Sequence, residues 1–314
     1  MPLKLVPDNT NIGFVRVRFI AFALTLALTL GSIALLATKG LNLGVDFKGG
    51  LTMEVEFATP PSLDGLRAKV DGLGVGTSAL QEFGNPRNIL VRLPLPEGEQ
   101  SAVQKVVAKV QAGLKADYGN VKFRRVESVS GKVSGELIKS GILAVLASMA
   151  AVALFTWFRF EWYFGISTVV ALIHDVIVTL GFFALTQLEF DLNVVAAVLT
   201  IIGYSLNDKV VIDDRIRENL RKYRTMDIGP IIDLSVNETL PRTVMTSVTL
   251  LAALGSMLVL GPDVIFGFTA AMMLGIVIGT YSSVFVSSSL LISLGVKSRA
   301  APEIESRAER VGRK

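Results

Sequence analysis

The chain has 314 residues, of which 51% are hydrophobic and only 18% charged, and its mean hydropathy is +0.55. The apolar residues lie in long blocks, which excludes a purely soluble protein and indicates membrane spans. The net charge of +4 is small; with no cysteine and a single histidine, His174, the chain has no disulfides, no thiolate chemistry and no Cys- or His-rich metal site.

In chain order, six stretches approach the roughly 20 apolar residues that a membrane helix needs: 19–37, 138–158, 164–187, 192–212, 243–260 and 264–294. Arg16 and Arg18 precede the first. Its apolar core is longer than a signal-peptide core and no small-residue cleavage pattern follows, so it reads as a retained anchor. The sixth stretch is long enough to tilt.

Between the first two spans, residues 38–135 change to the pattern of a small folded domain. Leu51, Met53, Val55 and Phe57 alternate as a half-buried strand. Leu63, Leu66, Val70 and Leu73 recur at helical spacing behind Ser62, a candidate N-cap. A weaker strand around 78–83, a turn at GNPRN (84–88), and alternating Ile89, Val91, Leu93 and Leu95 follow. Val103, Val106, Val107, Val110 and Leu114 mark a second helix, and Val121, Phe123 and Val126 a last strand. The order β-α-β-β-α-β is the ferredoxin-like plan, an α+β domain. It carries no catalytic constellation. Gly72, Gly74 and Gly76 in DGLGVG follow a helix rather than a strand, so they read as a helix end and turn, not a dinucleotide loop. The chain contains no G-x-x-x-x-G-K-[ST] loop, which argues against an ATP-driven enzyme.

Lys and Arg set the orientation. Lys4, Arg16 and Arg18 precede span one, and Arg159 lies between spans two and three. Arg215, Arg217, Arg221, Lys222, Arg224 and Arg242 fall between spans four and five, and a basic tail ends the chain. LEFD (188–191) and GPD (261–263) carry neither Lys nor Arg. Residues 1–18, a loop over 213–241 and the tail at 295–314 are therefore expected in the cytoplasm, with 38–135 outside; Lys39 is outvoted. The basic residues read as topology determinants, not as a nucleic-acid footprint.

Ionisable residues inside these spans mark function by default. Asp208 lies about one turn inside the end of span four, in GYSLNDKVV (203–211). Lys209 is expected to snorkel to the surface or to pair with Asp213 at i+4, and Asn207 to be satisfied by a neighbouring helix. Asp208 is too short to snorkel, and Tyr204 and Ser205 share its face. It reads as a poorly hydrated carboxyl whose protonation would respond to an approaching cation, the property of a proton carrier; the alternative is a structural carboxyl. Arg242 heads a hydroxyl stripe of Thr246 and Thr249, either facing a polar path or serving as a positive-inside anchor. His174 and Asp175, adjacent in span three, should diverge; a relay role and a helix-packing hydrogen bond remain open. Gly275, Gly279, Ser283 and Ser287, four residues apart, read as a close-packing face. DDRIRENLRKYR (213–224) reads as a charged helical exit, with Asp214 available to Arg217 or Arg221.

GVDFKGG (44–50), ALIHDVIVTLGFF (171–183), IIGYSLNDKVVIDDRIREN (201–219) and ETLPRTVMTS (238–247) together resemble the signatures of SecF, the smaller membrane subunit of the SecDF protein-export complex in the RND superfamily. The order, the six spans and the large first external loop also match. The resemblance implies a non-enzymatic accessory subunit that uses the proton-motive force with SecD to promote preprotein translocation. It implies no cofactor beyond protons as coupling ion. The implied partners are SecD, the SecYEG channel with SecA, YajC and unfolded preprotein, in the bacterial inner membrane, with the external domain periplasmic. It assigns the proton relay to Asp208 and Arg242, with Tyr204, Ser205, Asn207, His174, Asp175 and Thr246 in support. Asp46, Gly49, Gly50, Asp214 and Arg215 are family signature residues. Lys209 stands where a small hydroxyl residue is more usual, and Asp213 sits beside the usual Asp214. Two other readings are an RND-type exporter half for small molecules or lipids, which the single external domain disfavours, and a passive assembly subunit, for which Asp208 would be dispensable.

Overall fold

A computed structural model describes residues 6, 7, 10–83, 85–95 and 100–296; Lys4, Gly84 and the basic tail from 297 onward lie outside the described residues. In chain order the elements are α1 (Arg18–Thr38), α2 (Val45–Lys48), β1 (Gly50–Phe57), α3 (Leu63–Gly72), β2 (Ala79–Phe83), β3 (Asn85–Leu93), α4 (Gln100–Tyr118), β4 (Val121–Val129), α5 (Gly131–Arg159), α6 (Trp162–Thr186), α7 (Leu192–Lys222), α8 (Ile228–Leu260) and α9 (Phe266–Tyr281). A π-helical stretch (Ser282–Ser287) then leads into α10 (Ser288–Ser293). The chain divides into two units: a helical one, and a smaller one made of Leu43–Leu143 with Glu189–Leu192.

Among the described residues, six helices are long and apolar enough to cross a membrane: Val15–Thr38, Gly131–Arg159, Trp162–Thr186, Leu192–Lys222, Ile228–Leu260 and Phe266–Ser293. The third, fourth and sixth are the interior. Between 44% and 56% of their most apolar stretch is buried, against 11–17% for the other three, which expose large apolar side chains such as Phe158, Val259 and Leu260.

The connection expected over 213–241 is helical for most of its length, and 213–224 follows the charged helical exit read from the sequence. Residues 213–222 complete α7 and 228–241 open α8, which runs through Pro241. The polar exit stays helical because its side chains zip the two helices together. Arg215 donates to Glu238 at 2.6 Å, and Asn219 donates to Ser235 at 3.0 Å.

Small residues let the interior helices approach, as the glycine and serine spacing predicts. A Cβ on Gly275 would fall 2.4 Å from Ile201, one on Gly279 3.1 Å from Ser205 Oγ, and one on Gly181 2.2 Å from Ser32 Oγ. Gly275→Val is expected to destabilise the bundle by about 1–3 kcal/mol through overpacking. Gly255→Ala, which meets nothing within 4 Å, serves as the neutral control. Melting in detergent reads the difference.

The smaller unit holds a four-stranded antiparallel sheet in the order β2-β3-β1-β4. Alternation on β1 places Leu51, Met53, Val55 and Phe57 against Leu66 and Val70 of α3 and Val110 and Leu114 of α4. Ser62 Oγ accepts from Gly65 N at 3.4 Å and caps α3. The glycine run after α3 is a helix-end turn, in which Gly74 N donates to Asp71 O at 3.0 Å. The hairpin is tighter than the 84–88 turn expected, since β3 already begins at Asn85, whose side chain accepts from Arg87 N at 3.1 Å.

The GVDFKGG segment enters this sheet. Gly49 and Gly50 have φ of 71° and 120°, a region that favours glycine. A Cβ on Gly50 would also sit 2.8 Å from Leu93 O. Asp46 Oδ2 accepts from Leu192 N at 3.0 Å and so caps the start of α7. Nearby, Glu189 pairs with Arg92 at 3.0 Å, and burial pushes the Glu189 carboxyl up despite that pull. Asp46→Ala is expected to cost about 1 kcal/mol, the usual loss for an N-cap, seen as a lowered melting temperature.

Candidate functional site

The buried positions of α7 recur at helical spacing: Val194, Ala197, Val198, Ile201, Ser205, Asp208, Lys209, Ile212, Asp213 and Ile216. Helical geometry therefore turns Ser205, Asp208, Lys209 and Asp213 inward with the apolar stripe, although none of them is apolar.

Asp175 of α6 is the centre of what they meet. Its Oδ2 accepts from Ser205 Oγ at 2.6 Å, Ser282 Oγ at 2.9 Å and Lys209 Nζ at 3.2 Å. Lys209 Nζ also contacts Ser282 Oγ at 3.1 Å and, more closely, Ser205 Oγ. Asp175 Oδ1 lies 3.1 Å from His174 Nδ1. Three helices are thus tied by one carboxylate and one ammonium, both fully buried. Ser282 opens the π-helical stretch of the last span, a deviation often found at functional positions.

Two expectations are corrected here. Lys209 does not snorkel and is not paired with Asp213: it is 1% exposed and its ammonium crosses to Asp175. A buried carboxylate with two hydroxyls offers a lysine a complete set of acceptors, so it need not reach for water. His174 and Asp175 do not diverge. Adjacent helical residues point about 100° apart, yet the imidazole is long enough to bring Nδ1 back to the carboxylate.

Asp208 is also buried, at 3% exposure, and its Oδ2 has no hydrogen-bond partner among the described residues. The cations acting on it are Lys209 and Arg242. Arg242 is exposed on this chain, as is Asn207, which no helix of the described chain covers. Tyr204 Oη lies 3.0 Å from Ser247 Oγ, which in turn lies 2.9 Å from Thr280 Oγ1, joining α7, α8 and α9. Thr246 and Thr249 turn their hydroxyls back onto their own helix, to Arg242 O and Met245 O, so they present no free hydroxyl stripe.

At the charged end, Asp214 pairs with Arg159 at 3.0 Å rather than with Arg217 or Arg221, and Arg217 pairs with Glu161 at 3.0 Å. Arg215 bridges to Glu238. The residues that sequence reasoning missed are Ser282, Ser247, Thr280 and Thr168, the last donating to Asp213 at 3.4 Å. Ser282 was hidden beside the small-residue stripe, in a span that also carries Thr280, Ser287, Ser288 and Ser289.

Comparison with known proteins agrees with this architecture. Residues 109–297 match the family described as protein export membrane protein SecD/SecF, C-terminal, and residues 34–61 match the SecD/SecF GG motif, which contains Asp46, Gly49 and Gly50. The chain is 45% identical to protein translocase subunit SecF of Cereibacter sphaeroides over 98% of its own length and 96% of that protein. It is 43% identical to SecF of Rhodobacter capsulatus, over 94% and 92%. Among solved structures it resembles SecDF of Thermus thermophilus with a TM-score of 0.84 and 32% identity, covering 93% of this chain but only 40% of that longer one. SecDF in its super-membrane-facing form gives a TM-score of 0.68 at 29% identity, with 41% of that chain covered. A multi-pass membrane protein matched over nearly its whole length by these relatives belongs to the SecD/SecF family of protein export membrane proteins and, within it, to the SecF subunits of the protein translocase.

Proposed function

We propose that this chain is the SecF half of a SecDF unit that uses the proton-motive force to promote translocation and release of preproteins. The observation that carries the reading is Asp208: a carboxyl inside a membrane helix, with one oxygen unpartnered and the charges of Lys209 and Arg242 acting on it. A buried carboxylate oxygen without a donor is costly. Binding and losing a proton gives such a carboxyl two states with different demands on its surroundings, which is the coupling a proton-driven machine needs. Arg242 is read as the cation that answers Asp208, with Tyr204, Asn207 and Thr246 in support.

A SecD partner is supported by the outer face of α7. Ala196, Thr200, Gly203 and Asn207 are all exposed there, and none is a large apolar side chain. Small and polar residues suit helix–helix packing better than lipid contact. The strand order β2-β3-β1-β4 with two helices supports a ferredoxin-like external domain. The Lys and Arg distribution supports a periplasmic position for that domain and cytoplasmic termini, in the inner membrane. Unfolded preprotein emerging from SecYEG after the SecA motor is then the substrate, with YajC as a further membrane partner.

Affinity purification of the chain from solubilised membranes tests the assembly: a SecD-like chain, identified by mass, is expected to co-purify. Recovery of an outer-membrane efflux channel instead would overturn it. Asp208→Asn is expected to keep the SecD partner and lose export stimulation; undiminished export with the partner bound would leave only an assembly role.

A further inference from the structure

Asp208 is not the only inward-facing carboxyl of α7. Asp213 is 2% exposed and lies one turn beyond Lys209, toward the charged end of the helix. It accepts from Thr168 Oγ1 of α6 at 3.4 Å, a long bond for a buried carboxyl. Polar contacts join α6 to α7 through Thr168 and Asp213, and to the last span through the adjacent Ser167. Ser167 and Ser287 meet at 3.4 Å. Ser289 Oγ and His174 Nε2 are buried without partners among the described residues.

The charges along these contacts do not balance as they stand. From α6 come Asp175 and His174; from α7 come Asp208, Lys209 and Asp213; the last span brings hydroxyls and Tyr281. The next cation along α7 on this side, Arg217, is taken by Glu161. Among the described residues, Lys209 is therefore the cation left for two fully buried carboxyls, and its ammonium is bonded to Asp175. A buried carboxylate without a counter-ion is far more costly than a neutral acid. Lys209 and Asp213 are i,i+4 neighbours, within reach of each other on one helix face, and the lysine charge acts on both carboxyls.

We propose that Asp213 is a second proton-binding site of this chain, with Lys209 as the counter-ion for which it competes with Asp175. With Asp213 protonated, Lys209 bridges to Asp175 and ties α7 to α6 and to the π-helical stretch at Ser282. When Asp213 releases its proton, two carboxylates share one ammonium and that tie loosens. Proton binding is thereby linked to the packing of three interior helices. The inference does not depend on Asp208 being the coupling residue.

Infrared difference spectroscopy of the full chain with its membrane partner in lipid discs tests it, as the pH is cycled. The background is Asp208→Asn, so that Asp208 contributes no signal. A deuterium-sensitive band of a buried protonated carboxyl is expected, and expected to vanish when Asp213→Asn is added. Lys209→Met should move the loss of the band to higher pH, because neither Asp213 nor Asp175 then has a counter-ion and both hold their protons. Loss of no band with Asp213→Asn, or no upward shift with Lys209→Met, overturns the proposal. A folding comparison guards against a collapsed variant. Asparagine is nearly isosteric with the protonated acid, so Asp213→Asn should melt close to wild type while Asp175→Asn falls well below it. Equal loss in both would make Asp213 a charged structural group and would refute the site.

Discussion

Asp175→Asn is expected to destabilise the helical bundle by about 3–5 kcal/mol, the usual result of removing one partner from a buried ion pair. Asp175 Oδ2 receives Ser205, Ser282 and Lys209 together, from two other helices. Asparagine keeps an acceptor for the hydroxyls but removes the carboxylate through which the Lys209 ammonium ties α7 to α6; turning the ammonium to Asp213 instead gives up that tie and the Ser282 contact. Lys209→Met should cost less, because the stranded Asp175 can take up a proton. The double variant Asp175→Leu/Lys209→Met removes both charges at once. It should recover most of the loss, because apolar side chains of similar volume often replace a buried pair without penalty. Thermal unfolding of the four proteins in detergent reads this as a coupling energy. Additive single-variant losses would mean that Lys209 and Asp175 do not form a pair in the folded chain.

That pair also shows where sequence reading stops. The six spans were legible because length and apolarity are local properties, and the strand alternation of β1 and β3 because its period is read directly along the chain. Asp208 was legible from its depth in span four. Lys209 was not, because its partner lies 34 positions away on α6 and nothing along α7 announces it. The same applies to Ser282, which lies one position off the small-residue stripe and whose partner Asp175 is on another helix. The helical exit at 213–224 was legible from its charge pattern, but not that Arg215, Asn219, Ser235 and Glu238 would satisfy one another across two helices and extend both. Asp46 was legible only as part of a signature; that it caps α7 required the fold.

Asp208→Asn is the substitution with the largest expected effect on function. The amide fills the same space and cannot exchange a proton, so assembly should survive while coupling is lost. Asp208→Glu should retain part of the coupling, since it keeps the acid and shifts its position by one methylene. Arg242→Lys should retain part as well, as a point charge in place of a planar one, and Arg242→Ala should resemble Asp208→Asn. The most direct test reconstitutes the chain with its SecD partner, the channel and the motor in vesicles, and follows completion of preprotein movement with and without an imposed proton gradient. Wild type is predicted to be accelerated by the gradient, while Asp208→Asn runs at the no-gradient rate under both conditions. Equal acceleration of Asp208→Asn and wild type would contradict the assignment of proton coupling to this carboxyl.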